Sequence, residues 1–272
     1  MDEIRFGLIP SPFAIRKQNS MNVAIIVPAR IGSTRFPKKL LHKIKGKPVI
    51  VWTADRIKRE APAIPLFFAV DHESLAEVLR RDGYEAIMTD PAHTCGTDRI
   101  AEANRRLNAK NVINVQADEP LVTGGQIRQL VELIQQETEM ATLGTPLRYD
   151  KDYHNPNHVK LVCDDKGYAI YFSRAPIPYL RDTHGAFDAE VAAGIPVLIH
   201  LGLYAYTASF LERFCALRPG RLEQVEKLEM LRAMERGYRI KVGVTKEALI
   251  EIDTPEQAVE FEQVVTERFP FR

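Results

Sequence analysis

Val23-Ala24-Ile25-Ile26-Val27 is an unbroken apolar run rich in β-branched residues and closed by Pro28. This is the pattern of a strand buried on both faces, as in a parallel sheet. After a polar loop, helical spacing of apolar positions predicts helices over residues 48–59 and 74–81, with short apolar strands at 66–70 and 86–88. The alternation continues with a helix over about 98–107, a strand at 112–115 and a helix over 126–136. Four βα units in succession predict a Rossmann-like, doubly wound α/β layer. From residue 141 the rhythm changes, and runs at 141–147, 159–163, 168–173 and 197–206 read as strands with few helices between them. The sheet is therefore expected to be mixed, with a partly antiparallel continuation. Asp164-Asp165-Lys166-Gly167 suits a hairpin turn between two of these strands. Helical patterning returns at 222–236 and at 255–268, the latter opened by Asp253-Thr254 with Pro255 at the first helical position.

A chain of 272 residues, 45% hydrophobic and 27% charged, can bury a full core without disulfides or structural metals. We expect one domain over residues 21–272, because the first twenty residues carry early acids and central prolines and lack a signal peptide's apolar core. They read as a leader, cloning remnant or overlong start, partly disordered. The 37 Lys+Arg nearly cancel 36 Asp+Glu, which offers no footprint for nucleic acid or an anionic membrane, so phosphate chemistry has to rest on local charges. Cys95, Cys163 and Cys215 have no paired spacing, which fits a reducing cytoplasm. No apolar run approaches the roughly 18–20 residues of a membrane span.

The first strand feeds into residues 28–39, where Arg30, Arg35, Lys38 and Lys39 surround Ile31-Gly32-Ser33-Thr34. Open α/β sheets bind ligands beyond such a carboxyl end. Cationic side chains and exposed backbone N–H groups there suit a triphosphate, although a solvated basic loop has the same composition. The Gly-Lys-Ser/Thr ending of a Walker loop is absent. The fourth strand ends in Asn114-Val115-Gln116-Ala117-Asp118-Glu119-Pro120. Asp118 is either a turn residue or a carboxylate aimed into the same crevice, where it could hold magnesium together with substrate phosphates. Asp253 is either a helix cap or a second ligand to that ion. His93, Cys163, Cys215 and the acids Glu223 and Glu226 read as ordinary structural or surface residues.

PARIGSTRFPKK, HTCGTDR, NVQADEP, NPNHVKLV, YFSRAPIP, HLGLYAY, LEQVEKLEMLR and IDTPEQ stand in order between Met21 and about Phe269. In these motifs the chain closely resembles the sugar-acid cytidylyltransferases, and within them the 3-deoxy-manno-octulosonate (Kdo) branch. The resemblance implies a glycosyltransferase-A-like nucleotidyltransferase fold and a homodimer, with residues of about 140–220 forming the sugar-binding and dimerisation part. It implies CTP and Kdo as substrates, CMP-Kdo and pyrophosphate as products, Mg²⁺ as cofactor, and a place in lipopolysaccharide biosynthesis. Matched residue by residue, it puts Ala29, Arg30, Ser33, Arg35 and Lys39 on the triphosphate loop. Gly96, Thr97 and Arg99 fall on a second nucleotide segment, and Gln116 lies near ribose and sugar. Asp118 and Asp253 match the magnesium carboxylates, while Arg174, His200, Tyr204 and Glu229 match positions around the sugar acid. Lys38 replaces a glycine, Cys95 a serine, Ala117 a glycine and Met230 a glutamine of the family pattern, the last bearing on the sugar.

The expected chemistry is in-line attack of the sugar's anomeric 2-hydroxyl on the α-phosphorus of CTP. Lys39, Arg30, Asp118 and Asp253 would be the catalytic residues. Alternatives are the same reaction with an 8-amino octulosonate or a nonulosonate, a hexose 1-phosphate nucleotidyltransferase, and a catalytically silent sensor on the same scaffold.

Overall fold

The computed structural model describes residues 21–136, 138–188, 194, 197–247 and 251–268; the expected leader at 1–20 lies outside them. The first strand, β1 (Val23–Ala29), sits between β4 (Leu66–Val70) and β6 (Asn111–Asn114), parallel to both, and β5 (Glu85–Met88) extends the parallel part beyond β4. Alternate residues of β1 enter opposite layers. Ile25, Val27 and Ala29 pack with α1 (Val49–Glu60), α2 (Glu73–Arg81), α4 (Gly124–Ile134) and α9 (Pro255–Arg268). Ala24 and Ile26 pack with α3 (Gly96–Leu107) and α6 (Ala208–Ala216). A strand covered on both faces has no reason to alternate polar and apolar residues, which explains the continuous run.

The predicted βα alternation through residue 136 is present, and the chain is an α/β protein with a mixed, mainly parallel sheet. The chain runs from β1 out to β5 and returns to β6 on the opposite side of β1. The carboxyl ends of β1 and β6 therefore flank a topological switch point, where such sheets form crevices.

The second half follows the expected change of rhythm. β10 (Val197–Thr207) is antiparallel to β6 and to β7 (Met140–Pro146), with a register shift between Leu201 and Tyr204. Its start pairs with β8 (Lys160–Cys163), which is joined to β9 (Ala169–Ser173) by the expected turn. In that turn Gly167 takes φ +71°, and the Asp164 carboxylate accepts from the N–H groups of Lys166 and Tyr168.

The structure differs from the sequence reading at several places. The helix expected at 222–236 is broken into α7 (Arg221–Glu226) and α8 (Leu231–Met234), because Lys227 turns to φ 55°. Three further elements escaped the pattern: a small hairpin of β2 (Lys43–Ile44) and β3 (Lys47–Pro48), a short helix α5 (Asp150–His154), and the strand β11 (Lys241–Val244) parallel to β7. Helix α6 was missed as well. No helix among the described residues is long and apolar enough to cross a membrane.

Candidate active site

Beyond β1 the chain is pinned by the Ile31 N–H, which donates to Asp71 Oδ1 at 2.8 Å just past the end of β4. Asp71 is steadied by Arg99, whose buried guanidinium lies 3.7 Å from it and donates to Thr89 Oγ1 at 2.7 Å. The loop then closes on a single 3₁₀ turn at Lys39–Leu41, with Leu40 buried as its anchor. Lys38 caps this turn at φ 55° and stays exposed, while Lys39 points into the crevice. Of the two candidate lysines, Lys39 is the one the backbone delivers to the cleft.

The turn after β6 is held by helix α1: Thr53 Oγ1 donates to the Ala117 carbonyl at 2.8 Å. Ala117 is 3% exposed, so its methyl group fills core more than cleft. The Ile252 N–H donates to the Asp118 carbonyl at 3.0 Å and lays residues 251–253 against this turn. Helix α9 is capped without the Asp253 carboxylate. Thr254 Oγ1 accepts from the Gln257 N–H at 3.3 Å, and the Gln257 side chain accepts from the N–H groups of Asp253 and Thr254 at 2.8 and 3.0 Å. The Asp253 carboxylate is thereby left for the cleft. It accepts from Lys39 and Arg35, and Lys39 also donates to Asp118.

Asp118, Glu251 and Asp253 each offer a carboxylate oxygen within 4.8 Å of the others. Burial and the negative charges of Asp118 and Asp253 push the Glu251 carboxyl up to about 8. Burial also opposes the charge on Asp253, but Lys39, Glu251 and Arg35 more than offset it and hold its carboxyl below the usual range. For Lys39, burial disfavours the ammonium, and the two aspartates outweigh that loss and raise its pKa. The site gathers three carboxyl groups around the Lys39 ammonium, with Arg35 on the outer side of Asp253.

Three cavities meet here. One of about 260 Å³ is lined by Arg30, Ser33, Thr34, Arg35, Lys39, Gln116, Asp118, Glu251 and Asp253, among others. A second of about 220 Å³ shares Arg30 and Gln116 and adds Ala29, His93, Cys95, Gly96 and Arg99. The third, about 540 Å³, begins at Arg35, Glu251 and Asp253 and continues past Glu119 to His158, His200 and Asp152. His200 Nε2 lies 3.1 Å from Thr142 Oγ1, and burial pushes its pKa down to about 3, so the ring is neutral.

The structure brings together Ala29, Arg30, Ser33, Arg35, Lys39, Gly96, Arg99, Gln116, Asp118, Asp253 and His200 along these walls. Thr97, Glu229, Tyr204 and Arg174 line none of these cavities, and neither does Met230. Thr97 donates to Glu229 Oε2 at 2.8 Å, and Glu229 lines none of the three cavities. Tyr204 is buried between His200 and Tyr206, with ring centroids at 5.3 and 5.8 Å. Arg174 spends its guanidinium on the Glu226 and Pro156 carbonyls at 2.7 and 2.9 Å, bracing the loop that carries Asn157 and His158. Met230 is 6% exposed in the core shared with α3 and α6, away from every cavity wall described.

Two acids escaped the sequence reading. Glu251 stands two residues before Asp253, and the carboxylates of both reach Asp118. Glu119 gave only its adjacency to Asp118. Its burial and the charges of Asp118 and Glu251 raise its pKa well above the ordinary carboxyl value.

Residues 24–241 match the protein family described as Cytidylyltransferase. The chain is 43% identical over 249 residues to the 8-amino-3,8-dideoxy-manno-octulosonate cytidylyltransferase of Shewanella sp. strain ANA-3, covering 89% of this chain and 98% of that protein. The same name and identity, with the same coverage of both chains, apply to a Shewanella oneidensis protein. Among solved structures, the chain is similar to a CMP:2-keto-3-deoxy-manno-octonic acid synthetase complexed with CTP, at TM-score 0.83 and 31% identity over 91% of this chain and 100% of that one. A cytidylyltransferase from Leptospira borgpetersenii, 13% identical with TM-score 0.60 over 91% of this chain and 87% of that one, shares the fold.

Proposed function

The chain belongs to the cytidylyltransferase family, and on that premise we propose that it transfers CMP from CTP to the anomeric 2-hydroxyl of a Kdo-type octulosonate, releasing pyrophosphate. The observation that carries this reading is the junction of the three cavities. Arg30 and Gln116 are common to the two on the nucleotide side, and Arg35, Glu251 and Asp253 are common to the phosphate cavity and the large one. A nucleotide with its base beside Gly96 and its phosphates beside Arg30 and Lys39 would present its α-phosphorus to a sugar acid in the large cavity. The names of the relatives, including a solved synthetase with CTP, support both substrates.

In this reading Arg30 and Lys39 neutralise charge growing on the departing pyrophosphate, and Arg35 assists from the rim. Arg30 is exposed and has no ion-pair partner among the described residues, so its charge is available. Lys39 is held by two carboxylates and would exchange one of them for a phosphate oxygen. Gln116, 3.2 Å from Asn114 Oδ1, keeps its amide where nucleotide and sugar would meet. Arg99, on the wall of the second cavity, acts by fixing Asp71 and hence the loop after β1.

The residues fit a divalent metal. The donors are hard carboxylate oxygens, and the Lys39 ammonium already sits as a cation between Asp118 and Asp253. Asp118 and Asp253 would hold Mg²⁺, with Glu251 beside them. Such an ion supplies Lewis-acid polarisation and lowers the pKa of a bound hydroxyl. We also propose a homodimer through the part around residues 140–220, supported by the exposed apolar side chains of Ile170 and Tyr179, 58% and 68% accessible.

The test is pyrophosphate release with each of four nucleoside triphosphates, with and without Mg²⁺, against a panel of sugar acids including the hydroxyl and 8-amino octulosonates. Product analysis should show a phosphodiester to the anomeric carbon. Release from a hexose 1-phosphate, or from no sugar acid at all, would remove the proposal.

A further inference from the structure

Strand β10 slips register against β7 between Leu201 and Tyr204, and the slip interrupts the ladder beside Thr142. Such bulges leave backbone groups unpaired and re-aim side chains next to active sites. Here a side chain of the sheet fills the gap. Thr142 is fully buried, and its hydroxyl oxygen lies 2.7 Å from the Leu203 carbonyl and 3.3 Å from that of Leu201. His200 Nε2 is 3.1 Å from the same oxygen.

A threonine hydroxyl has one proton to give, and a carbonyl can only accept. With two carbonyls beside Thr142 Oγ1, the proton goes to the nearer, Leu203. Were it turned to the ring instead, the Leu203 oxygen would face a hydroxyl lone pair at 2.7 Å. His200 Nε2 must therefore carry a hydrogen and donate to Thr142. Because the ring is neutral, its other nitrogen, Nδ1, is bare and can only accept. Phe172 meets the ring edge-on at 5.2 Å between centroids and Tyr204 lies at 5.3 Å, which holds it in this orientation. Nδ1 has no hydrogen-bond partner among the described residues and is not sealed from water, on a residue of the large cavity's wall.

A lone acceptor at that place discriminates between the two kinds of oxygen a sugar acid carries. A hydroxyl can donate to it, and an ionised carboxylate cannot. We infer that Thr142, which does not itself line the cavity, is a positioning residue: it fixes His200 in the tautomer that receives a hydroxyl of the sugar acid and keeps the carboxylate from that position. This inference rests on the cytidylyl transfer proposed above and adds to it a residue that acts through another.

The experiment uses the full chain isotopically labelled at its histidine nitrogens, with His200→Gln identifying the His200 signals by NMR, alongside pyrophosphate release with a Kdo-type octulosonate. In the wild type at neutral pH, Nε2 should be protonated and Nδ1 bare, and adding the octulosonate should move the Nδ1 signal upfield without protonating it. Thr142→Val should release the tautomer and raise the KM for the sugar acid about tenfold, with kcat and the KM for CTP each within about twofold of the wild type. Thr142→Ser keeps the hydroxyl and should retain both the wild-type tautomer and the wild-type KM. A wild-type His200 protonated at Nδ1, an Nδ1 signal unmoved by the octulosonate, or a folded Thr142→Val with unchanged KM overturns the inference. If Thr142→Val does not fold, the wild-type spectra decide. If no sugar acid releases pyrophosphate, the transfer reaction itself is wrong, and the spectrum of the free protein still reports which nitrogen Thr142 holds protonated.

Discussion

Replacing Lys39 with Met removes the single ammonium that two carboxylates share. The side chains of Lys39, Asp118 and Asp253 are 14%, 13% and 14% exposed, so water reaches the cluster only from the cavity. Breaking one partner out of a fully buried ion pair costs about 3–5 kcal/mol. Here the stranded aspartates keep access to cavity water and Arg35 remains beside Asp253, which brings the cost to roughly 1–3 kcal/mol. At about 2–4 °C per kcal/mol for a chain of this size, the melting temperature should fall by roughly 2–12 °C. Turnover should fall further than stability accounts for, because a preorganised donor aimed at developing charge is worth about 2.7–4 kcal/mol, or roughly 10²–10³ in rate. The assay is pyrophosphate release at saturating substrates, well below the variant's melting temperature, with Lys39→Arg alongside to restore charge but not shape. Turnover within threefold of the wild type, with an unchanged melting temperature, would show that Lys39 neither holds the acids nor meets the phosphates.

Asp118→Asn should cost at least about 10² in kcat with the fold retained, read by the same assay and by circular dichroism. Met230→Gln buries an amide in an apolar core and should lower stability by about 1–3 kcal/mol in thermal melts while leaving the KM for sugar unchanged. A shift in sugar preference without a change in melting temperature would restore the substrate role expected from sequence. Glu223→Gln removes one side of a bidentate pair in which Arg232 donates at 2.9 and 2.6 Å. Burial opposes the charge on Glu223, but Arg232 and the Gly220 N–H hold its carboxyl below the usual range. The pair's stabilisation is therefore present above the unfolded carboxyl pKa of about 4.3 and is lost as pH falls through the lower folded value. The gap between wild type and Glu223→Gln in urea melts should close over that window. His200, pushed down to about 3 by burial, takes up a proton only on unfolding between about pH 6.5 and 3, so it weakens the fold as pH falls through that range. His200→Gln should flatten that part of the stability curve.

The parallel half was legible because burial on both faces leaves a simple record. The apolar run in β1 and the helical spacing of the next three βα units reflect one sheet with a layer on each side. The second half was harder, since helix and strand there depend on contacts distant in the chain. β11 is four residues long and is a strand through its pairing with β7, not through its own composition. The 222–236 helix failed for a local reason the pattern conceals: apolar spacing survived across Lys227, yet the backbone there is left-handed. The apolar positions of α7 are exposed, Leu222 by 41% and Val225 by 81%, while α8 buries Leu231 and Ala233, so apolar spacing here does not report a shared buried face.

The site shows the same division more sharply. Arg30, Lys39, Asp118 and Asp253 were readable as residue types beyond strand ends, but whether Asp253 caps a helix or faces the cleft was undecided by its position. The answer lies in a competition between neighbours. Thr254 and Gln257 satisfy the helix start between them, and the Ile252 N–H anchors the same segment to the Asp118 carbonyl, 134 residues earlier in the chain. Once the cap is filled, the carboxylate of Asp253 has Lys39 and Arg35 as its partners. Glu251 belongs to the same anchored segment, and its carboxylate joins those of Asp118 and Asp253. A cap substitution should therefore act at the cleft. Thr254→Val leaves the Gln257 N–H without its acceptor, so the Asp253 carboxylate becomes the nearest alternative cap. Turnover should fall by more than the roughly 1 kcal/mol that the cap contributes to stability. A variant with the expected melting loss and full activity would show that Asp253 is aimed by something other than the completed cap.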